Sequence, residues 1–262
     1  MALITCDFFS EALEVGTTMN VVLPQRTSTQ IGVEAVTVSS RPPVLYLLHG
    51  LSDDHSAWVR YTSIERYAAE AGLAVVMPAV GRSFYANEAQ GHRYWDFVSE
   101  ELPSVVADFF AVTDDPEHTY VAGLSMGGYG ALRLGLTHPD RYAGAASMSG
   151  ALDLHSLLTG PDDRRVWDRV FGGRIRPEDD LHALLGRPVE PGRRLPLWVG
   201  CGTEDELVAH VQEPFVDAAR AAGHEVRTGL RPGVHEWGLW DELVREVIAW
   251  LPNETSAPSP AD

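Results

Sequence analysis

Five short, almost uninterrupted apolar runs govern what this chain can become: VLYLLHG at 44–50, LAVVMP at 73–78, TYVAGLS at 119–125, YAGAASMSG at 142–150 and LPLWVGCG at 195–202. Strands that are apolar at every position, rather than at alternate ones, are those covered on both faces, as in a parallel sheet. Helix-like stretches lie between the runs. The succession therefore reads as repeated strand–helix–strand units around a mostly parallel sheet, an α/β fold. One domain is expected over residues 1–251, because 262 residues with 45% hydrophobic content can bury a sizeable core. The first strands differ: LITCDFFSEALEVGTTMNVVLP mixes β-branched and polar positions around Gly16 and predicts an antiparallel pair. Residues 151–194 loosen into charged pieces bearing Pro and Gly, and are expected to form an insertion over the sheet. The last residues, 252–262, are expected to be a disordered tail.

Helix ends follow from capping chemistry. Ser99 is expected to cap a helix over EELPSVVADFF, Pro214 to open and Gly223 to close a helix over FVDAARAAG. A last amphipathic helix is expected from Glu236 to Leu251, with Leu239, Leu243, Val247 and Trp250 on one face.

Composition removes several function classes. The net charge is −17, from 37 acidic and 20 basic residues, so the long-range field repels nucleic acids and anionic membranes. All the basic residues are arginine. Without lysine, Schiff-base, pyridoxal, Ser-Lys and P-loop chemistry have no amine to work with. Two cysteines, Cys6 and Cys201, are too few and too far apart for a disulfide framework, and the acidic N-terminus lacks the basic start of a leader. No apolar run approaches the roughly 20 residues of a membrane span. A cytoplasmic protein is expected, with no cofactor and no catalytic metal. Association of identical copies is left open.

The stretch YVAGLSMGGYGALRLGL places Ser125 between glycines where a strand gives way to a helix. Gly123-Leu124-Ser125-Met126-Gly127 fits G-x-S-x-G in the strand–turn–helix setting of a nucleophile elbow, against the plainer reading of a small residue at a close packing point. Such a serine needs a base. Of ten histidines, nine have ordinary surface or loop readings, whereas His235 stands in RPGVHEWGLWD between a strand at 225–230 and the last helix. A carboxylate must orient that imidazole. LWVGCGTEDELV offers Glu204, Asp205 and Glu206 after a strand; Asp205 is the choice and Glu204 the alternative, against ordinary helix capping. The order Ser125, Asp205, His235 is that of α/β-hydrolases. For the oxyanion, the amides of Met126 and Leu51 are expected, with Gly50 letting the LLHGLSDDHSAW loop approach closely. Otherwise His49-Gly50 is a simple turn.

The blocks LLHGLSDDHSAW, GRSFYANEAQGHRYWDFVSEELP, GLSMGGYGAL, CGTED and GVHEWGLWD together resemble the tributyrin esterase branch of the esterase D and S-formylglutathione hydrolase family, relatives of the mycolyltransferases. The resemblance covers roughly residues 1–150 and 195–250. It implies an α/β-hydrolase carboxylesterase acting on short acyl chains, with nucleophile, acid and base at Ser125, Asp205 and His235. Tyr85, His92, Tyr94, Trp95 and Asp96, with Trp58 and Trp237, then become candidates for lining the substrate pocket; the other reading is aromatic packing under a long loop. Leu51-Ser52-Asp53 stands where the glutathione-thioester branch has a Leu-Thr-Cys-like stretch.

The expected activity is hydrolysis of short-chain esters through an acyl-enzyme, on small-molecule substrates. The alternatives are a thioesterase of the S-formylglutathione hydrolase type and a noncatalytic hydrolase-fold binder.

Overall fold

The computed structural model describes residues 1–25, 41–158, 163–188 and 194–251. The expected tail at 252–262 lies outside the described residues, as do parts of the 151–194 segment. Along the chain come β1 (Ala2–Ser10), β2 (Val15–Leu23), β3 (Val44–Leu48), α1 (Ala57–Tyr61), α2 (Ile64–Ala71) and β4 (Ala74–Pro78). Next are α3 (Tyr94–Asp96), a π-helical turn (Phe97–Glu101), α4 (Leu102–Phe109), a 3₁₀ turn (Pro116–His118), β5 (Thr119–Leu124), α5 (Met126–Thr137) and β6 (Gly144–Met148). After them follow α6 (Leu154–Leu157), α7 (Asp163–Phe171), α8 (Leu181–Leu185), β7 (Leu197–Gly202), α9 (Ala209–Ala221), β8 (Val226–Arg231) and α10 (Trp237–Trp250).

Among the described residues the strands form one sheet in the order β1-β2-β4-β3-β5-β6-β7-β8. From β4 to β8 every pairing is parallel, while β1–β2 and β2–β4 are antiparallel. The inner strands are buried along their length because alternate residues feed two separate cores. On β3, Val44, Tyr46 and Leu48 join the core beneath α4, α5, α8 and α9, whereas Leu45 and Leu47 join the one beneath α2 and α10. β1 is covered less and alternates between exposed and half-buried positions, as its mixed sequence predicts. The turn joining it to β2 is held from a distance: the Glu101 carboxylate accepts from the Ser10 hydroxyl and from the Glu11 and Ala12 amides.

Two expected helix starts are moved. Ser99 caps nothing; it is buried inside the π-helical turn, and the helical path begins at Tyr94. The amide that needs a partner there, Asp96 N–H, is met by the side chain of Asn87 from the preceding loop, a long-range substitute for a local cap. Pro214 lies within α9 rather than at its start. The Asp205 carboxylate accepts from the amides of Leu207 and Val208, and the Asp205 carbonyl from Ala209, so the helix is nucleated early enough to run through the proline. The end is as expected, with Gly223 at φ +86° just past the last turn.

Among its described residues the segment after β6 forms three short helices, α6, α7 and α8. Tyr129 and Arg133 of α5 anchor it: the Tyr129 hydroxyl donates to the Asp179 carbonyl, and Arg133 pairs with the fully buried Asp179 carboxylate. Among the described residues no helix is long and apolar enough to cross a membrane.

Candidate active site

Close backbone approach fixes the bend at Ser125. A Cβ on Gly123 would come within 2.3 Å of the Gly127 carbonyl oxygen, and one on Gly127 within 2.4 Å of the Leu48 carbonyl oxygen on β3. Only glycine leaves room for β5 to turn directly into α5. Ser125 itself absorbs the bend at φ +52°, ψ −117°, a conformation that costs a non-glycine residue on the order of 1–3 kcal/mol. Its amide donates to the Met148 carbonyl at 2.9 Å, which holds the turn at the carboxyl edge of the sheet.

Two further loops meet it there. His235 lies between β8 and α10, and its Nε2 is 3.0 Å from the Ser125 Oγ. Its Nδ1 is 2.7 Å from the Asp205 Oδ2, in the turn after β7. A carboxylate on Nδ1 selects the tautomer in which that nitrogen donates, leaving Nε2 free to accept the serine proton. Asp205 is 1% exposed. Burial, the largest single influence, raises its carboxyl pKa, but the His235 bond and charge, with hydrogen bonds from Ser149 and the Val208 amide, together carry the net shift below the usual carboxylate value. Glu204, the alternative, is turned away and pins the loop before His235 by accepting from the Gly233 amide.

The loop after β3 closes the fourth side. An added Cβ on Gly50 would lie 2.7 Å from the Leu124 Cδ1 and 3.8 Å from the Ser125 Cβ, so this loop passes directly beside the serine. Met126 opens α5, and its amide is among those with no acceptor inside the helix. Leu51 follows Gly50 on the same loop and is half-buried.

His49 is more than part of a simple turn. It is 1% exposed, its Nε2 accepts from the Val80 amide at 3.1 Å, and Nδ1 therefore carries the proton and donates to the Gly50 carbonyl at 2.7 Å. Tyr85 completes the brace, its hydroxyl donating to the His49 carbonyl at 2.9 Å. Burial lowers the His49 pKa to about 4, so the ring is neutral in neutral solution. Sequence reading missed this brace because its partners, Val80 and Tyr85, belong to a loop more than thirty residues away.

Of the residues considered as pocket walls, two are corrected. Trp58 and Tyr85 are fully buried, Trp58 donating its indole N–H to the Leu48 carbonyl, so both support the loop after β3 from beneath instead of facing a substrate. Trp95 packs against the Arg133 guanidinium and stacks on His138. His92 is exposed, with Tyr94 edge-on beside it. Trp237 is half-buried and meets Trp58 and Trp240 edge to face; Trp240 in turn lies 4.8 Å from the His235 ring, centroid to centroid. Trp240 was not anticipated, although its place three residues past Trp237 on α10 puts both on one helix face.

A strained serine between a parallel strand and a helix, with histidine and acid arriving from the next strands of the same sheet, is the arrangement of serine hydrolases with the α/β-hydrolase fold. Comparison with known proteins agrees. The putative esterase family matches residues 10–251. An acetyl esterase of Caldicellulosiruptor saccharolyticus is 28% identical, covering 96% of this chain and 98% of its own. FphF, a fluorophosphonate-binding serine hydrolase of Staphylococcus aureus, superimposes with a TM-score of 0.86 at 31% identity, over 97% of this chain and 99% of that one. FrmB, an S-formylglutathione hydrolase from the same organism, gives a TM-score of 0.81 at 30% identity over 95% and 98%. The chain belongs to the putative esterase family and is a carboxylic ester hydrolase of the serine type.

Proposed function

We propose that this protein hydrolyses short-chain acyl esters through a covalent acyl-enzyme on Ser125. The observation that carries the reading is the line of two hydrogen bonds, 3.0 Å from Ser125 to His235 and 2.7 Å from His235 to Asp205. Ser125 Oγ attacks the ester carbonyl while His235 Nε2 takes its proton. The tetrahedral oxyanion is met by the amides of Met126 and Leu51, and the N-terminus of α5 adds its partial positive charge. His235 then protonates the leaving alcohol. Water, deprotonated by the same imidazole, releases the acid, and Asp205 holds the ring and its positive charge throughout.

The short-chain preference rests on the resemblance to the tributyrin esterase branch and on the likeness to an acetyl esterase. The likeness to FrmB supports a thioester-cleaving alternative. A cytoplasmic setting fits the two free thiols, Cys6 and Cys201. Hydrolysis of p-nitrophenyl esters from acetate to octanoate, beside S-formylglutathione, tests both substrate readings. The shortest oxygen esters should show the highest kcat/KM. Ser125→Ala should lower kcat by about 10⁶-fold and Asp205→Asn by about 10⁴-fold, and a fluorophosphonate should label the wild type alone. Full turnover by the alanine variant would end the proposal.

A further inference from the structure

We propose that Asp53 selects substrates by the charge on the alcohol they release: its carboxylate at the serine site favours esters of cationic alcohols and disfavours esters whose alcohol part bears a carboxylate. The inference rests on Ser125 being the ester-cleaving nucleophile. Asp53 stands in the loop after β3, half-buried, three residues past Gly50. Its Oδ2 is 2.8 Å from the point a Cβ on Gly50 would occupy, and the Ser125 Cβ is 3.8 Å from that same point. The carboxylate oxygen and the Ser125 Cβ thus lie within about 7 Å of each other, packed around Gly50. Burial raises its carboxyl pKa above the usual value, the neighbouring Asp54 charge adds to this, and the Gly50 amide and the His235 ring oppose it.

Among the described residues Asp53 belongs to no ion pair, whereas its neighbour Asp54 is bound by the Ser56 amide and hydroxyl. The loops carrying Asp205 and His235 add Glu204, Glu206 and Glu236. Arg231, at the end of β8, is held by Glu242 and Glu246, Arg93 by Asp96, and Arg169 by Glu88. The released alcohol takes its proton from His235 beside Ser125, which brings a charge it carries within reach of the Asp53 carboxylate. A unit charge within about 7 Å of the carboxylate, in surroundings between protein and water, is worth roughly tenfold in kcat/KM.

A matched series of butyrate esters separates charge from shape: butyrylcholine, its neutral isostere 3,3-dimethylbutyl butyrate, and 3-(butyryloxy)propanoate, followed by pH-stat. The expected order is cationic over neutral over anionic, by about tenfold at each step. Asp53→Asn should draw both ratios toward one. Ratios taken on one preparation cancel any loss of folded protein. Glu117→Gln, which removes one charge at the opposite end of β5, should leave both ratios as they are. Because Asp53 is half-buried, the wild-type ratios should persist in 0.5 M salt, where a field from the whole acidic surface is screened within about 5 Å. Equal rates across the series, ratios untouched in Asp53→Asn, or no cleavage of butyrylcholine beside good cleavage of p-nitrophenyl butyrate each overturn the inference while leaving the esterase reading intact. Failure on every ester, p-nitrophenyl butyrate included, overturns both.

Discussion

Two regions that both touch α5 are held together by opposite means. At its N-terminus, the Ser125 bend and the His49-Gly50 loop are locked by uncharged groups: glycines with no room for a Cβ, and a neutral imidazole bonded at both nitrogens. Further along, the segment between β6 and β7 is tied on by charge. Arg133 of α5 pairs with Asp179 and donates to the carbonyls of Glu178 and Tyr85, Arg176 donates to Asp179 at 2.8 Å, and Arg169 of α7 pairs with Glu88. The difference teaches where tolerance lies. A steric lock has one solution and fixes atoms for chemistry, whereas a buried ion pair fixes which elements meet and leaves their details free to vary.

Three changes should break or sharpen that contrast. The largest is Arg133→Met, which leaves the fully buried Asp179 carboxylate with Arg176 alone and the Glu178 and Tyr85 carbonyls without their donor. Unfolding in urea should show a loss of about 3–5 kcal/mol, and proteolysis should begin in the 151–188 segment. Next is acid. The folded protein refuses a proton on His49 until pH falls to about 4, while the unfolded chain takes it up at the ordinary value of 6.5. Stability from this group is therefore complete above pH 6.5 and is lost progressively between 6.5 and about 4, by about 3 kcal/mol. His49→Gln should flatten that part of the pH–stability curve, and an unchanged slope would assign the acid sensitivity to other groups. The smallest effect is Ser125→Gly, which relieves the positive φ. Thermal melting should rise by about 2–4 °C as activity disappears.

Fold class was legible because burial on both faces forces continuous apolar strands, and that signal is local. The Ser125 bend was legible for the same reason, with Gly123 and Gly127 carrying its sterics within five residues. Choosing Asp205 over Glu204 depended on a difference in depth that two adjacent acids do not display. Trp58 and Tyr85 were misplaced since an aromatic residue beside a site and one beneath it have the same sequence signature. Ser99 and Pro214 misled because the groups that set those helix starts, Asn87 and Asp205, act through space or from a loop. The His49 brace escaped because its partners, Val80 and Tyr85, lie more than thirty residues away along the chain.

The unfavourable backbone geometry at residue 125 also bears on descent. A lineage released from the need to cleave esters would gain from exchanging this serine for glycine or asparagine, and drift would soon erase it. In any relative, the letter at that one position therefore serves as a cheap marker of whether selection still maintains the chemistry.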